Sequence, residues 1–218
     1  MTSFVSPLPP TPAHASEVNP GVTRAGLLGH EAAILWLTGL SGAGKTTLAA
    51  ALEAELLRAR VLSVVLDGDL IRSGLSRDLG FSADDRSENI RRTGEAAGLV
   101  AAAGAVAIVA LISPFRADRR RVAERARERG IRFAEIYVNA PLAVCEQRDP
   151  KALYRRARAG EIRDLTGIGS PYEAPLTPNL ELRTDLESIP QSLEKITQFA
   201  LALVRPTRHA SSSLRPEI

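Results

Sequence analysis

The residues best suited to chemistry form one short loop, which runs from Gly39 to Thr46 and reads GLSGAGKT. It fits G-x-x-x-x-G-K-[ST], a pattern that binds nucleotide phosphates, at every fixed position. Its glycines let backbone N–H groups curl around phosphate oxygens, and a following helix adds its partial positive charge. Lys45 would reach the β- and γ-phosphates, and the Thr46 hydroxyl would ligate Mg²⁺. The pattern predicts a nucleoside triphosphate site; the alternative is a glycine-rich turn that binds nothing.

Two carboxylates form the next candidate group, in the sequence Asp67-Gly68-Asp69 directly after a buried apolar run. One carboxylate could hold Mg²⁺ through water, and the other could take a proton from an acceptor hydroxyl. The alternative is a polar turn in which an aspartate caps a helix. Two acids that follow the strand next after a phosphate loop favour the catalytic interpretation.

A third group combines an aromatic residue with polar ones, namely Phe81, Arg86, Asn89, Arg91 and Arg92. Phe81 could stack on a base, while Arg86 and Asn89, three residues apart at a helix start, could grip a phosphate or sulfate. Alternatively, the last two arginines are solvated helix residues and the phenylalanine fills the core.

The elements that must position these groups alternate between strands and helices. Apolar runs predict strands at 33–38, 61–66, 105–112 and 132–138, with a shorter edge strand at 180–184. Helical patterns between and after them run to about 58, from 84 to about 103, from 116 to 129, from Pro141 onward and from 190 to 204. The alternation implies right-handed crossovers and a parallel sheet with helices on both faces. The phosphate loop then follows the first strand, Asp67-Gly68-Asp69 the second and Ser113-Pro114 the third, so these groups lie at the carboxyl ends of strands, where one site is expected.

The 218 residues predict one domain, at 30–204, between a disordered N-terminal arm (1–29) and a disordered C-terminal tail (205–218). A segment punctuated by glycine and proline, at about 149–178, is typical of a lid. The net charge of +3 gives no case for nucleic acid or a membrane as partner. The single cysteine, Cys145, fits a small buried side chain in a reducing cytoplasm, and residues 1–20 lack the pattern of a secretory signal.

The chain resembles the adenylylsulfate (APS) kinase family over about residues 30–204. The resemblance rests on separate motifs in order: WLTGLSGAGKTT (36–47), LDGD-x-x-R-x-GL (66–75), LGFS-x-x-DR-x-ENIRR (79–92), ISPFRADR (112–119), CEQRDPK-x-LY-x-x-AR-x-GEI (145–162), TGI (166–168) and PYE (171–173). It implies a P-loop kinase-like three-layer α/β/α sandwich with a mainly parallel five-stranded sheet. It also implies transfer of the γ-phosphoryl group of ATP to the 3′-hydroxyl of adenosine 5′-phosphosulfate (APS), which yields PAPS and ADP.

The resemblance implies roles for individual residues. Asp69 is similar to the family's proposed base, Asp67 to its Mg²⁺-side partner, and Ser113 to a position described as a phosphoserine intermediate. Direct in-line transfer needs no covalent step, so we favour it over that intermediate. The catalytic set implied is Lys45, Asp67, Asp69 and Ser113; the ATP set is Gly39, Gly42, Ala43, Gly44, Lys45, Thr46 and Thr47; the Mg²⁺ set is Thr46 and Asp67; the APS set is Asp69, Arg72, Phe81, Arg86, Asn89, Ile112, Ser113 and Lys151.

The chain also departs from the family at three places. Leu70 stands where the family usually has asparagine, Leu111 where it has phenylalanine, and Asp164-Leu165 where it has Gly-Phe in the lid. The last replaces an aromatic residue expected to cover the nucleotide. The resemblance further implies a stand-alone homodimer, with ATP sulfurylase as a candidate partner. The alternatives are another small-molecule kinase, for a nucleoside or sugar acid, and a non-catalytic subunit of a sulfate-activation complex.

Overall fold

The computed structural model describes residues 23–206. Most of the predicted N-terminal arm and C-terminal tail lies outside the described residues. Inside the predicted arm, the residues Arg24–Leu28 form a short helix, and the Thr23 side chain accepts the Gly26 N–H at its start. This helix packs on Gly104, where an added Cβ would come within 2.7 Å of the Leu28 side chain. Helical structure is therefore present before the predicted domain boundary.

The described residues form five strands and eight helices in an alternating order. The strands are β1 (Ala33–Thr38), β2 (Ser63–Asp67), β3 (Val106–Ala110), β4 (Arg132–Asn139) and β5 (Leu180–Arg183). The helices are α1 (Arg24–Leu28), α2 (Lys45–Arg58), α3 (Gly68–Ser73), α4 (Ala83–Ala102), α5 (Arg116–Glu128), α6 (Leu142–Arg148), α7 (Leu153–Arg158) and α8 (Ile189–Leu203).

The strands make one sheet in the order β2-β3-β1-β4-β5, and every neighbouring pair is parallel. The predicted parallel sheet and the edge position of β5 are confirmed. In parallel sheets both faces are covered, so central strands are apolar throughout. All six residues of β1 are buried.

Alternate residues of β1 point into two separate cores. Leu35 and Leu37 join the core beneath α2 and α8, whereas Ile34 and Trp36 join the core beneath α4 and α5. Period-two alternation of side chains explains this division. The helices thus form a layer on each face, which confirms the predicted three-layer sandwich.

Several predicted boundaries differ from the structure by one or two residues. β2 spans Ser63–Asp67 rather than 61–66, and β3 ends at Ala110 rather than at 112, ahead of the turn in which Ser113 has a φ of +40° that an extended strand does not allow. Pro141 is the residue before α6 rather than its first residue, because its ψ of 147° is extended. No helix among residues 23–206 is long and apolar enough to cross a membrane.

Candidate active site

Three loops meet where the three neighbouring strands β2, β3 and β1 end. They are the phosphate loop (residues 39–46) after β1, the two aspartates after β2, and Ile112-Ser113 after β3. The carboxyl ends of parallel strands share one edge of the sheet, which brings these loops together. The predicted convergence on a single site is thus present in the fold.

At two positions of the phosphate loop glycine is required, because neighbouring backbone atoms leave no space for a Cβ atom. A Cβ at Gly39 would lie 2.3 Å from the Val138 carbonyl oxygen, and one at Gly42 would lie 2.9 Å from the Cys145 carbonyl oxygen. Gly44 has a φ of +102°, which side chains rarely adopt. The loop therefore lies tightly against β4 and α6, and its shape depends on its glycines.

Helix α2 starts at Lys45, so its first N–H groups face the loop. The first intrahelical bond runs from the Leu48 N–H to the Gly44 carbonyl, 3.0 Å away. The N–H groups of Lys45, Thr46 and Thr47 consequently have no partner within the helix. Together with the helix dipole they are suited to bind phosphate oxygens, and their geometry is the one that the sequence pattern predicts.

Lys45 is buried beneath the loop rather than extended into solvent. Its ammonium group donates to the carbonyl oxygens of Gly39 and Leu40, at 2.9 and 2.7 Å. Burial lowers the pKa of Lys45 to about 8, and only weaker attractions from Cys145 and the aspartates oppose it. A cation held this close to the loop suits phosphates that arrive there.

Asp67 lies within hydrogen-bond distance of two groups at once. Its Oδ2 accepts the Thr46 hydroxyl at 2.7 Å, and its Oδ1 accepts the Asp69 N–H at 2.9 Å as the cap of α3. The capping interpretation of this aspartate is thus confirmed, and its other oxygen lies beside the Thr46 hydroxyl. The Thr46 and Asp67 oxygens are hard ligands of the kind that Mg²⁺ takes in phosphate sites, with waters and phosphates as its other ligands. The pair therefore fits a Mg²⁺ ion.

Asp69 projects its carboxylate toward the lid segment. It pairs with the Lys151 ammonium group, and both side chains are at least half exposed. Asp69 and Lys151 belong to elements 82 residues apart. The structure thus brings these two residues, predicted from separate motifs, to one point beside the phosphate loop.

Phe81 is 66% exposed, so it does not fill the core. The Arg72 guanidinium lies over its ring, 4.4 Å from the centroid, and Arg72 also donates to the Gly80 carbonyl at 2.8 Å. Arg86 donates to the Phe81 carbonyl at 2.8 Å. A flat aromatic face beside two guanidinium groups is suited to a base and an anionic group.

The positively charged guanidinium groups of Arg72 and Arg86 are partly buried. Burial lowers the pKa of both, and the nearby Arg86 charge lowers that of Arg72 further. Neither forms an ion pair with a carboxylate among residues 23–206. Arg86 instead donates to the Asp164 carbonyl and the Thr166 hydroxyl of the lid segment. The carboxylates of Asp85 and Asp164 attract Arg72 and Arg86 from longer range, but two guanidinium groups without a contacting carboxylate favour an anionic ligand.

Asn89 is buried on α4, and its side-chain Oδ1 has no hydrogen-bond partner among the described residues. Buried polar atoms are nearly always paired, so an unpaired acceptor calls for an explanation such as a ligand. Arg91 and Arg92 do not join this group. They pair with Glu88 and, for Arg92, also with Asp78, as solvated helix residues do.

Ser113 is only 3% exposed and its hydroxyl has a protein partner. The Trp36 indole N–H donates to its Oγ at 3.0 Å, and the buried Arg119 donates to its carbonyl at 2.6 Å. The neighbouring Ile112 carbonyl accepts the Thr38 hydroxyl at 2.7 Å. These bonds fix the loop after β3 against β1.

Sequence reasoning missed two groups of residues that shape the site. Arg119 lies in the helix predicted at 116–129 and in the motif ISPFRADR, and it binds the Glu173 carbonyl and the Ser113 carbonyl and lies over the ring of Tyr172. The second group holds the outer side of the phosphate loop and consists of Arg148, Tyr154 and Thr184.

The departure at Asp164-Leu165 has a structural role here. Leu165 is buried in the core beneath α2 and α8, and its carbonyl accepts the N–H groups of Ile168, Gly169 and Ser170. In the structure this side chain points inward, whereas the family aromatic is expected to cover a nucleotide. Leu111 is likewise buried, and packs against Gly68.

Comparison with known proteins finds the same family by three routes. The family model described as adenylylsulphate kinase matches residues 31–183. The adenylyl-sulfate kinase of Shewanella amazonensis is 52% identical over 179 residues, which cover 82% of this chain and 89% of that protein.

Solved structures agree with that result. The APS kinase of Mycobacterium tuberculosis in complex with AMPPNP and APS is 43% identical with a TM-score of 0.76, over 78% of this chain and 98% of that one. A hexameric APS kinase from Thiobacillus denitrificans is 32% identical with a TM-score of 0.61, over 82% of this chain and 30% of that one.

Proposed function

Because this chain belongs to the adenylylsulfate kinase family, we propose that it transfers the γ-phosphoryl group of ATP to the 3′-hydroxyl of adenosine 5′-phosphosulfate. The observation that carries this proposal is the placement of Asp67 and Asp69 beside the phosphate loop. Asp67 contacts the Thr46 hydroxyl at 2.7 Å, while the Asp69 carboxylate faces the opposite, acceptor side. One edge of the sheet thus offers a donor half and an acceptor half.

In the donor half, backbone N–H groups of the phosphate loop and of the start of α2 bind the ATP phosphates. Lys45 neutralises charge at the β- and γ-phosphates. Thr46 and Asp67 hold Mg²⁺, which when bound neutralises charge that develops on the phosphate oxygens. The full ATP set is the one that the sequence predicts, namely Gly39, Gly42, Ala43, Gly44, Lys45, Thr46 and Thr47.

In the acceptor half, the base of APS stacks on Phe81, in place of the Arg72 guanidinium that lies there now. Arg72 and Arg86 bind the phosphosulfate anion, and the unpaired Asn89 oxygen accepts a donor group of the nucleotide. Ile112 and Ser113 line the pocket, and Lys151 approaches from the lid. The support is the exposed ring, the two guanidinium groups without carboxylate partners, and the buried unpaired acceptor.

The reaction requires one proton transfer and one phosphoryl transfer. The Asp69 carboxylate accepts the proton of the 3′-hydroxyl as its oxygen bonds to the γ-phosphorus. The bond from the γ-phosphorus to the bridging oxygen breaks, and ADP leaves with that electron pair. Ser113 is not phosphorylated on this route, because its hydroxyl is buried against the Trp36 indole.

We further propose the predicted organisation around this site. Residues 30–204 form the catalytic domain, with the lid at about 149–178, and the protein acts in the cytoplasm as a homodimer that can associate with ATP sulfurylase. The hexameric relative supports assembly of copies in general. The single cysteine supports a reducing compartment.

Release of ADP from Mg-ATP tests the proposed activity, with APS as acceptor and adenosine, AMP and gluconate as controls. We expect turnover that depends on APS, and little turnover with the other three. AMP is the sharpest control, because it lacks only the sulfate that Arg72 and Arg86 are proposed to bind. Equal turnover with APS and gluconate, or none with APS, would refute the assignment.

A further inference from the structure

The outer side of the phosphate loop is held by side chains from three other elements. The Ser41 carbonyl accepts the Tyr154 hydroxyl at 3.0 Å, the Gly42 carbonyl accepts Arg148 at 3.3 Å, and the Ala43 carbonyl accepts the Thr184 hydroxyl at 2.8 Å. Carbonyls fixed outward orient the peptide units of the loop so that its N–H groups face inward, apart from the Ala43 N–H, which donates to the Leu40 carbonyl at 3.2 Å. The loop geometry therefore depends on residues far away in sequence.

Tyr154 differs from the other two because it belongs to helix α7, within the lid segment. Its side chain is 2% exposed. Burial raises the pKa of its hydroxyl, which keeps the group protonated as a donor. The start of α7 is fixed as well, since the Asp149 carboxylate accepts the N–H groups of Tyr154 and Arg155 at 3.1 and 3.0 Å.

Lys151 lies between the two residues of this turn that have left-handed backbones. Asp149 has a φ of 21° and Ala152 a φ of 54°, and neither is glycine. Such conformations persist only where surrounding contacts hold them, and they concentrate at functional sites. The turn presents the Lys151 ammonium group to the Asp69 carboxylate. One contact that anchors the following helix to the body is the Tyr154–Ser41 hydrogen bond; the Arg158–Glu146 ion pair and the packing of Leu153 and Ala157 on the core also hold it.

We propose that Tyr154 is a positioning residue that joins the lid to the phosphate loop. Its hydroxyl fixes the Ser41 carbonyl, and so the loop that binds ATP. Its helix fixes the turn that places Lys151 opposite Asp69. The part of the inference that concerns Lys151 rests on the proposed function. The effect of Tyr154 on the phosphate loop concerns ATP binding alone.

The test compares Tyr154→Phe with Tyr137→Phe as a matched control. Both variants lose one hydroxyl and keep the ring, but the structure gives the Tyr137 hydroxyl no hydrogen bond among residues 23–206. Calorimetric titration with AMPPNP measures affinity without turnover. We expect about a five- to tenfold weaker affinity for Tyr154→Phe, as for the loss of one hydrogen bond, and no change for Tyr137→Phe.

A double-mutant cycle tests the second half of the inference. We expect Lys151→Ala to lower kcat/KM for APS in the wild-type background, and the penalty to be at least about threefold smaller in the Tyr154→Phe background. If Tyr154 only stabilised the fold, Tyr154→Phe would lower the melting temperature, and the Lys151→Ala penalty would be equal in the two backgrounds.

Unchanged AMPPNP affinity in Tyr154→Phe, or equal Lys151→Ala penalties in both backgrounds, overturns the inference. Failure of the proposed function has a different signature, because the wild-type protein would then bind AMPPNP but show no turnover with APS. In that case the calorimetric comparison alone decides whether Tyr154 positions the loop.

Discussion

At the residue scale, Asp67 and Asp69 have different environments that separate their roles. Both oxygens of Asp67 are engaged, one with the Thr46 hydroxyl and one with the Asp69 N–H. Among residues 23–206, Asp69 contacts only the Lys151 ammonium group by its side chain and is otherwise exposed toward the acceptor side. The engaged carboxylate suits a metal site, and the exposed one suits a base that must meet a substrate hydroxyl.

We expect Asp69→Asn to lower kcat by roughly a hundredfold or more, because the amide cannot accept the proton. The affinity for AMPPNP should stay within about threefold of the wild type, since Asp69 does not contact the phosphate loop. Steady-state kinetics and calorimetry provide the two numbers. Asp84→Asn, at an exposed acid in the first turn of α4, is the control. Persistent turnover in Asp69→Asn would remove this residue from the role of base.

Ser113→Ala should retain turnover within about tenfold of the wild type, because direct transfer does not use the hydroxyl. The variant should be less stable, since the buried Trp36 N–H loses its acceptor at a cost of about 1–3 kcal/mol. Kinetics and a melting curve check both statements. Complete inactivation, together with phosphoserine trapped in the wild-type protein, would support a covalent route instead.

At the element scale, the loop between α3 and α4 carries Phe81 and is fixed to α4 by ion pairs. Arg92 contacts Asp78 at 2.6 Å and Glu88 at 2.9 Å, and also donates to the Leu75 carbonyl. The same helix carries Arg86 and Asn89 on its first turns. This network therefore sets how the proposed base-stacking residue lies relative to the anion-binding arginine.

The network makes a prediction about acid stability. Hydrogen bonds from Arg91 and then Arg92 lower the pKa of Glu88 to about 2, below its ordinary value of 4.5. A lowered folded-state pKa contributes stability above the unfolded value, and the contribution is lost as pH falls from about 4.5 toward 2. Glu88→Gln should therefore lower the melting temperature at pH 7 by roughly 1–3 °C.

The difference between Glu88→Gln and the wild type should vanish near the folded-state pKa of about 2. Glu128→Gln is the matched control, because Glu128 makes a single exposed contact with Arg125 on α5. A melting-temperature difference that is the same at pH 7 and at low pH would show that the pairing of Glu88 is not its cause.

Sequence patterns could predict the elements and the order of the loops, because these depend on nearby residues. The apolar run of β1 and the glycines of the phosphate loop are such local signals. The Tyr154–Ser41 contact spans 113 residues and the Arg86–Thr166 contact spans 80. Contacts of this kind arise from tertiary packing, so no regular spacing of residues in the sequence predicts them. The inward position of Leu165 depends on packing for the same reason.

At the scale of the whole molecule, the two cores serve the two halves of the proposed site. The core with Leu35 and Leu37 supports α2 and the lid, whereas the core with Ile34 and Trp36 supports α4 and its arginine and asparagine. Adjacent residues of one strand thus hold the donor and acceptor halves on opposite faces of the sheet. The halves meet at the carboxyl edge, where Asp67 and Asp69 lie, and the contacts of Arg86 with Asp164 and Thr166 of the lid segment also join them.

The most direct measurement follows a radiolabelled γ-phosphate from ATP into the product. We predict that the label appears on APS, that one label is transferred for each ADP released, and that a nucleotidase specific for 3′-phosphates removes it and returns APS. Label that stays on ATP, enters water, or resists that nucleotidase would contradict transfer to the 3′-hydroxyl.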